Sequence, residues 1–234
     1  MKKEIMIGVV VNAIFFVLIS IANYNFITLD VTPYITKTIA SVLFVLCGVF
    51  NLLYALFCKR EANKKFSLIM VIGLVFAAAG DILLIDFFPI GAAAFAVGHI
   101  FYFVAATLIA ISLNDVYSYN YSTVTMLISL GVSIVLSTTI MLLSKPLKLN
   151  FGKFFFQTLA YTLILTFMSA YSIILAIAVP SLWPFATGIC MIFVSDLVLS
   201  TQYFGGQQDN KLLIILNHLI YYVGQIFIAI SLFM

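Results

Sequence analysis

Of the 234 residues, 65% are hydrophobic and only 8% are charged, with 11 Lys or Arg against 8 Asp or Glu and a mean hydropathy of +1.23. A water-soluble domain carries about a quarter charged residues, so most of this chain's outer surface must face lipid. The same figures exclude a disordered chain, a nucleic-acid-binding domain (net charge +3) and a disulfide-stapled module, since the cysteines at 47, 58 and 190 have neither C-x-x-C nor zinc-like spacing.

Crossing the hydrocarbon core takes about 20 residues of helix, and eight apolar stretches of that order lie between polar breaks. In chain order they are Glu4–Ala22, Pro33–Phe57, Phe66–Ile85, Pro89–Leu113, Tyr121–Leu143, Phe154–Val179, Leu182–Tyr203 and Leu212–Met234. The breaks between them hold the Pro, Gly, Asn and charge that end helices: Asn23-Tyr24-Asn25, the Lys59–Lys65 run, the turn from Asp86 to Pro89, Asn114–Asn120, Lys145-Pro146-Leu147-Lys148, the pair Pro180 and Pro184, and Gly205–Asn210. The first span follows Lys2 and Lys3 as a signal peptide would, but it lacks a small-x-small cleavage site and seven spans follow, so it reads as a helix of the bundle. The expected fold is all-α: one integral membrane domain, 1–234, of eight transmembrane helices.

Eight spans put both termini on one side. The early Lys2 and Lys3 weigh toward the inside, although basic residues are nearly balanced between the two sides. The expected setting is a multi-pass protein of a bacterial cytoplasmic membrane.

An unpaired charge within a span costs several kcal/mol, so each intramembrane Asp, His or Lys is by default a functional candidate. Asp81 and Asp196 lie toward the ends of spans 3 and 7, and Lys37, His99 and His218 toward the starts of spans 2, 4 and 8. Because helices alternate direction, all five belong to the same half of the bilayer, which points to one shared cavity. Local stripes agree. Gly73 and Ala77 precede Asp81 at four-residue steps, a seam of small residues that turns the carboxylate into the bundle. His99, Tyr102 and Ala106 share one face of span 4, and Lys211, His218, Tyr222, Gln225 and Ala229 one face of span 8. The competing structural reading is that buried Asp, His and Tyr pairs only glue helices together. Asp30, Asp86 and Asp115 sit at helix ends as solvated charges, the cysteines and methionines pack, and Trp183 with the terminal tyrosines fits an interfacial aromatic belt.

The halves 1–118 and 119–234 echo each other. Lys37, Asp81, His99 and Tyr102 are spaced 44, 18 and 3, and Lys153, Asp196, His218 and Tyr221 are spaced 43, 22 and 3. Two four-helix repeats of the same orientation would face two Asp–His sets across a central axis.

At these positions the sequence resembles the YhhN family, which includes the mammalian transmembrane protein 86 lysoplasmalogenases. The resemblance rests on Gly80-Asp81-Ile82-Leu83-Leu84, on His99-Ile100-Phe101-Tyr102, on Phe193-Val194-Ser195-Asp196 and on Tyr221-Tyr222-Val223-Gly224-Gln225. Ile35-Thr36-Lys37-Thr38 is similar to the Lys-Pro that opens the family's second helix, with threonine in place of proline, and His218 stands where a small or hydroxyl residue is expected. The resemblance implies an eight-helix ether hydrolase that cleaves the vinyl ether bond of lysoplasmalogens, with Asp81 and Asp196 as its catalytic pair.

That reaction suits these residues. Protonating the alkene β-carbon gives an oxocarbenium ion, water adds, and the hemiacetal collapses to a fatty aldehyde and a glycerophospho-alcohol. Two carboxylates sharing one proton supply donor, counter-anion and base, as paired acids do in glycoside hydrolysis. Asp196 is read as acid and Asp81 as base, and His99 as a proton relay or an orienter of an Asp. Ser195, Tyr102, Tyr221, Tyr222, Gln225 and His218 are supporting or substrate-binding residues, and Lys37 or Lys153 would meet the phosphate. The partners implied are a lysophospholipid substrate and the bilayer, without nucleic acid, cofactor or metal. Three rivals come from other classes, one of them a structural or regulatory membrane protein without catalysis. A zinc-dependent lipid amidase generally needs three protein ligands, commonly His, and the chain has two His. A proton-coupled transporter would also place Asp, His and Tyr within the membrane.

Overall fold

In a computed structural model, residues 2–28, 33–57, 64–117 and 119–232 are described. They form eight long helices: α1 (Lys2–Thr28), α2 (Pro33–Phe57), α3 (Lys64–Leu83), α4 (Phe88–Ser112), α5 (Tyr121–Leu143), α6 (Phe155–Ala178), α7 (Trp183–Phe204) and α8 (Lys211–Ser231). Each is long and apolar enough to cross a membrane, and no strand occurs among the described residues. Helices are the natural product of such a sequence, because in hydrocarbon every backbone N–H and C=O has to find its partner within the segment.

The boundaries follow local chemistry. Asn120 and Asn210 accept backbone N–H groups at the first turns of α5 and α8. Proline, which needs no donor partner there, stands near the first turns of α4 and α7. Gly206, at φ +66°, supplies the left-handed turn after α7. One expected break is corrected: α1 runs through Asn23, Tyr24 and Asn25 to Thr28. Asparagine costs a helix only a few tenths of a kcal/mol, and no Pro or Gly stands there to end it. Phe26, in the last turn, stacks on His218 of α8 at 4.3 Å, which fixes the extension to the bundle. The other boundaries differ from the sequence reading by three residues or fewer, and Asp30 and Cys58 lie outside the described residues.

Sequence neighbours pack as antiparallel pairs, with α2 and α1 also leaning on α8, and α6 and α5 on α4. Two glycine seams let the closest pairs approach. On α3 and α4, a Cβ built on Gly98 would lie 3.1 Å from the Gly73 carbonyl, and one on Gly91 2.9 Å from the Gly80 carbonyl. On α7 and α8, a Cβ on Gly188 would lie 2.6 Å from the Gly224 carbonyl. Such contact substitutes for the hydrophobic force that lipid cannot supply. α1 is fastened by a reciprocal amide pair: Asn12 donates to Asn51 and Asn51 to Asn12, each at 2.8 Å. α5 turns a hydroxyl stripe inward, with Ser133 and Ser137 each 2.9 Å from the Thr166 hydroxyl of α6, and exposes apolar residues such as Leu127 and Val135 on its other side. Asp86 and Asp115 are exposed at helix ends.

Candidate active site

The close α3–α4 and α7–α8 pairs set the two acidic motifs beside one another at one end of the bundle. A cavity of about 240 Å³ opens there, lined by both Asp81 and Asp196. Lys37 from α2, Ser195, Gln202 and Tyr203 from α7, and Asn217, His218 and Tyr221 from α8 complete its polar wall, and Phe26 of α1 borders it.

Asp81 is buried and held by three donors. The Lys37 ammonium lies 3.0 Å from its Oδ1, while the hydroxyls of Ser41 and Tyr222 donate to its Oδ2 at 2.6 and 2.7 Å. An ammonium and two hydroxyls make an environment for a carboxylate anion. Helical spacing explains the clamp, because Lys37 and Ser41, four residues apart on α2, present both donors to α3 on one face.

Asp196 has different surroundings. Among the described residues its one donor is the Tyr161 hydroxyl of α6, at 2.7 Å from Oδ2. It also lines a second cavity, of about 270 Å³, between α4, α6 and α7, whose walls include Ala92, Ala96, Leu165 and Phe193. Leu84, Phe95, Asp196 and Leu199 line both cavities. Asp196 therefore stands where a polar chamber meets an apolar one.

The expected site residues divide into three groups. Lys37, Asp81, Ser195, Asp196, His218 and Tyr221 line the polar cavity, and Tyr222 stands behind Asp81 as a donor. The Ser195 hydroxyl is engaged with the Asn217 carbonyl at 3.1 Å, and the Tyr221 hydroxyl with the Ala77 carbonyl at 3.3 Å. His99, Tyr102 and Gln225 are buried away from it. His99 Nδ1 donates to the Phe95 carbonyl at 2.9 Å, which leaves Nε2 without a partner among the described residues and neither nitrogen on an aspartate. Its ring instead faces Tyr102 and Tyr161, with centroids at 5.8 and 6.3 Å. Lys153 also stands apart: it is exposed, its ammonium 5.2 Å over the Phe154 ring, and the donor to Asp196 is Tyr161 instead.

Ser41, Tyr161, Gln202, Asn217 and Phe26 belong to the site but escaped the sequence reading. Ser41 was within reach of it, being one turn from Lys37. Tyr161 carries no such signal, since its contact depends on how α6 is rotated against α7. Among the described residues no three His, Cys, Asp or Glu side chains gather closely enough to hold a metal ion.

Fold and site together define a class: a polytopic helical membrane protein with two acids, a buried Asp81 and a half-buried Asp196, on one cavity. Within that class the chain belongs to the YhhN family, whose model matches residues 32–232, nearly the whole length. No curated protein and no solved structure matches it.

Proposed function

We propose that this protein is a lysoplasmalogenase-type ether hydrolase, cleaving the vinyl ether bond of a single-chain alkenyl glycerophospholipid to a fatty aldehyde and a glycerophospho-alcohol. The observation that carries the reading is the position of Asp196 at the junction of a polar and an apolar cavity, with Asp81 on the polar side. An amphiphile whose chain lies in the apolar chamber and whose head lies in the polar one would bring its ether bond to Asp196.

The differing donor sets support a division of roles. Asp81 is held by an ammonium and two hydroxyls. Asp196, with one hydroxyl bond and hydrocarbon walls, suits the neutral acid, since an uncharged carboxyl is cheaper to hold beside apolar surface. Asp196 gives its proton to the alkene β-carbon, and the C=C electron pair forms that C–H bond as the ether oxygen shares a lone pair with the adjacent carbon. The resulting oxocarbenium ion lies beside the new Asp196 carboxylate, which offsets its charge. Water adds to the cationic carbon and returns a proton to Asp196. The hemiacetal then breaks its bond to the glycerol oxygen: its hydroxyl loses a proton as the C=O forms, the leaving oxygen gains one, and aldehyde and alcohol are released. Asp81, with Lys37, orders the polar wall around water and headgroup.

Each of the eight helices is continuous, which favours a hydrolase over a transporter with helices broken at mid-membrane. The test is incubation of the purified protein with lysoplasmalogen and with its ester-linked lysophospholipid analogue. Aldehyde from the vinyl ether alone, lost in Asp196→Asn with the fold retained, is the expected result. Full turnover in Asp196→Asn would overturn the mechanism, and no aldehyde from the native protein would overturn the reaction.

A further inference from the structure

Gln202 is an unexplained group in the polar cavity. It is buried, and its Nε2 has no hydrogen-bond partner among the described residues. A buried carboxamide donor left unmade costs on the order of 1–3 kcal/mol, so such a group calls for a ligand. On α7, Ser195, Leu199 and Gln202 follow one another at steps of four and three and all line the cavity, so Gln202 shares the helix face of Ser195 and Leu199, and Asp196 borders the same cavity from the adjoining face. It is six residues, roughly 9 Å, nearer the end of α7 than Asp196, and two residues from the helix's last residue, Phe204. The acid therefore lies deep and the free donor shallow.

Two further groups face the same space. The Lys37 ammonium has three N–H donors, and its ion pair with Asp81 engages one of them, while Lys37 also lines the cavity. His218 is stacked on Phe26 and lines the cavity as well. The Asp81 oxygens are already occupied by Lys37, Ser41 and Tyr222, which softens their repulsion of an incoming anion.

From this arrangement we infer that Gln202, with Lys37, forms an oxyanion subsite that takes the phosphodiester of a single-chain lipid, fixing the head so that the chain passes Asp196. The reaction at Asp196 rests on the function proposed above, whereas the subsite stands or falls by binding alone. No bond is made or broken at it.

The test therefore uses ligands that the protein cannot cleave. The affinities of the native protein, Gln202→Leu and Gln202→Glu are measured in lipid nanodiscs for three probes: a saturated 1-alkyl lysophospholipid, the uncharged 1-alkylglycerol of the same chain, and glycerol 3-phosphate. A hydrogen bond to a charged group predicts that Gln202→Leu lowers the preference for the phospholipid over the alkylglycerol by about tenfold, with Gln202→Glu lowering it further through like-charge repulsion. Gln202→Glu also serves if Gln202→Leu fails to fold, because it keeps the size and polarity of the side chain. Glycerol 3-phosphate binding with the same sensitivity to Gln202 would assign the subsite to a free phosphate ester; binding by the chain-bearing probe alone assigns it to a lipid headgroup. A preference unchanged in both variants overturns the inference and leaves Gln202 bonded to water. Intact phospholipid preference without aldehyde release would refute the reaction and spare the subsite, and aldehyde release with no Gln202 effect would do the reverse.

Discussion

The ammonium of Lys37 and the carboxylate of Asp81 meet at 3.0 Å between α2 and α3, both side chains nearly closed off from the outside. Taking two charges out of water is expensive, and their attraction offsets that only while both are present. Lys37→Met should therefore destabilise the folded protein by roughly 3–5 kcal/mol, read as a fall in melting temperature in a fixed detergent. Lys37→Met combined with Asp81→Asn should recover part of the loss. A Lys37→Met protein as stable as the native one would show that Asp81 does not depend on its partner.

Tyr161 offers a sharper test of Asp196. Its hydroxyl donates to Oδ2 at 2.7 Å and the ring packs among helices, so Tyr161→Phe removes the bond while keeping the shape. Such a bond is worth about 1–1.5 kcal/mol; in the proposed reaction it strengthens as Asp196 becomes a carboxylate, so kcat on lysoplasmalogen should fall by about tenfold with KM little changed, beyond any loss of melting temperature. A drop in stability with kcat intact would make Tyr161 a packing residue only.

The apolar chamber predicts a chain-length effect. Ala96 lines it from α4, and Ala96→Phe would fill part of the space. Short-chain alkenyl substrates should keep their kcat/KM while long-chain ones lose theirs, a change in ratio that general damage to the protein cannot produce. Equal losses for both would place the chain elsewhere.

Glycine positions separate packing from propensity. A side chain on Gly188 would meet the Gly224 carbonyl at 2.6 Å and the Ile228 nitrogen at 3.0 Å, both backbone atoms that cannot turn aside. Gly188→Val should abolish folded protein in size-exclusion chromatography. Gly131, on α5, has nothing within 4 Å of a built Cβ, and Gly131→Ala should be neutral or stabilising by up to about 1 kcal/mol. Equivalent behaviour of the two variants would contradict the α7–α8 seam.

By itself the sequence determined the spans and the level at which the polar residues lie. Hydropathy suffices for this, because an unsatisfied backbone in hydrocarbon leaves helix as the economical solution, and alternating helix direction then sorts Lys37, Asp81, Asp196 and His218 into one half of the bundle. The missed extension of α1 shows the limit even there: Asn23 and Asn25 look like a stop, yet no physical stop exists, and a distant ring, His218, holds the last turn. Tertiary structure alone decided which side chains meet. Residues of similar depth on different helices touch or miss according to how each helix is rotated about its axis. That angle is set by ridges, grooves and glycine contacts supplied by other helices. So Asp81 received Lys37, Ser41 and Tyr222, Asp196 received Tyr161, and His99 was turned toward Tyr102 and Tyr161 instead of an acid, an outcome that no single helix encodes.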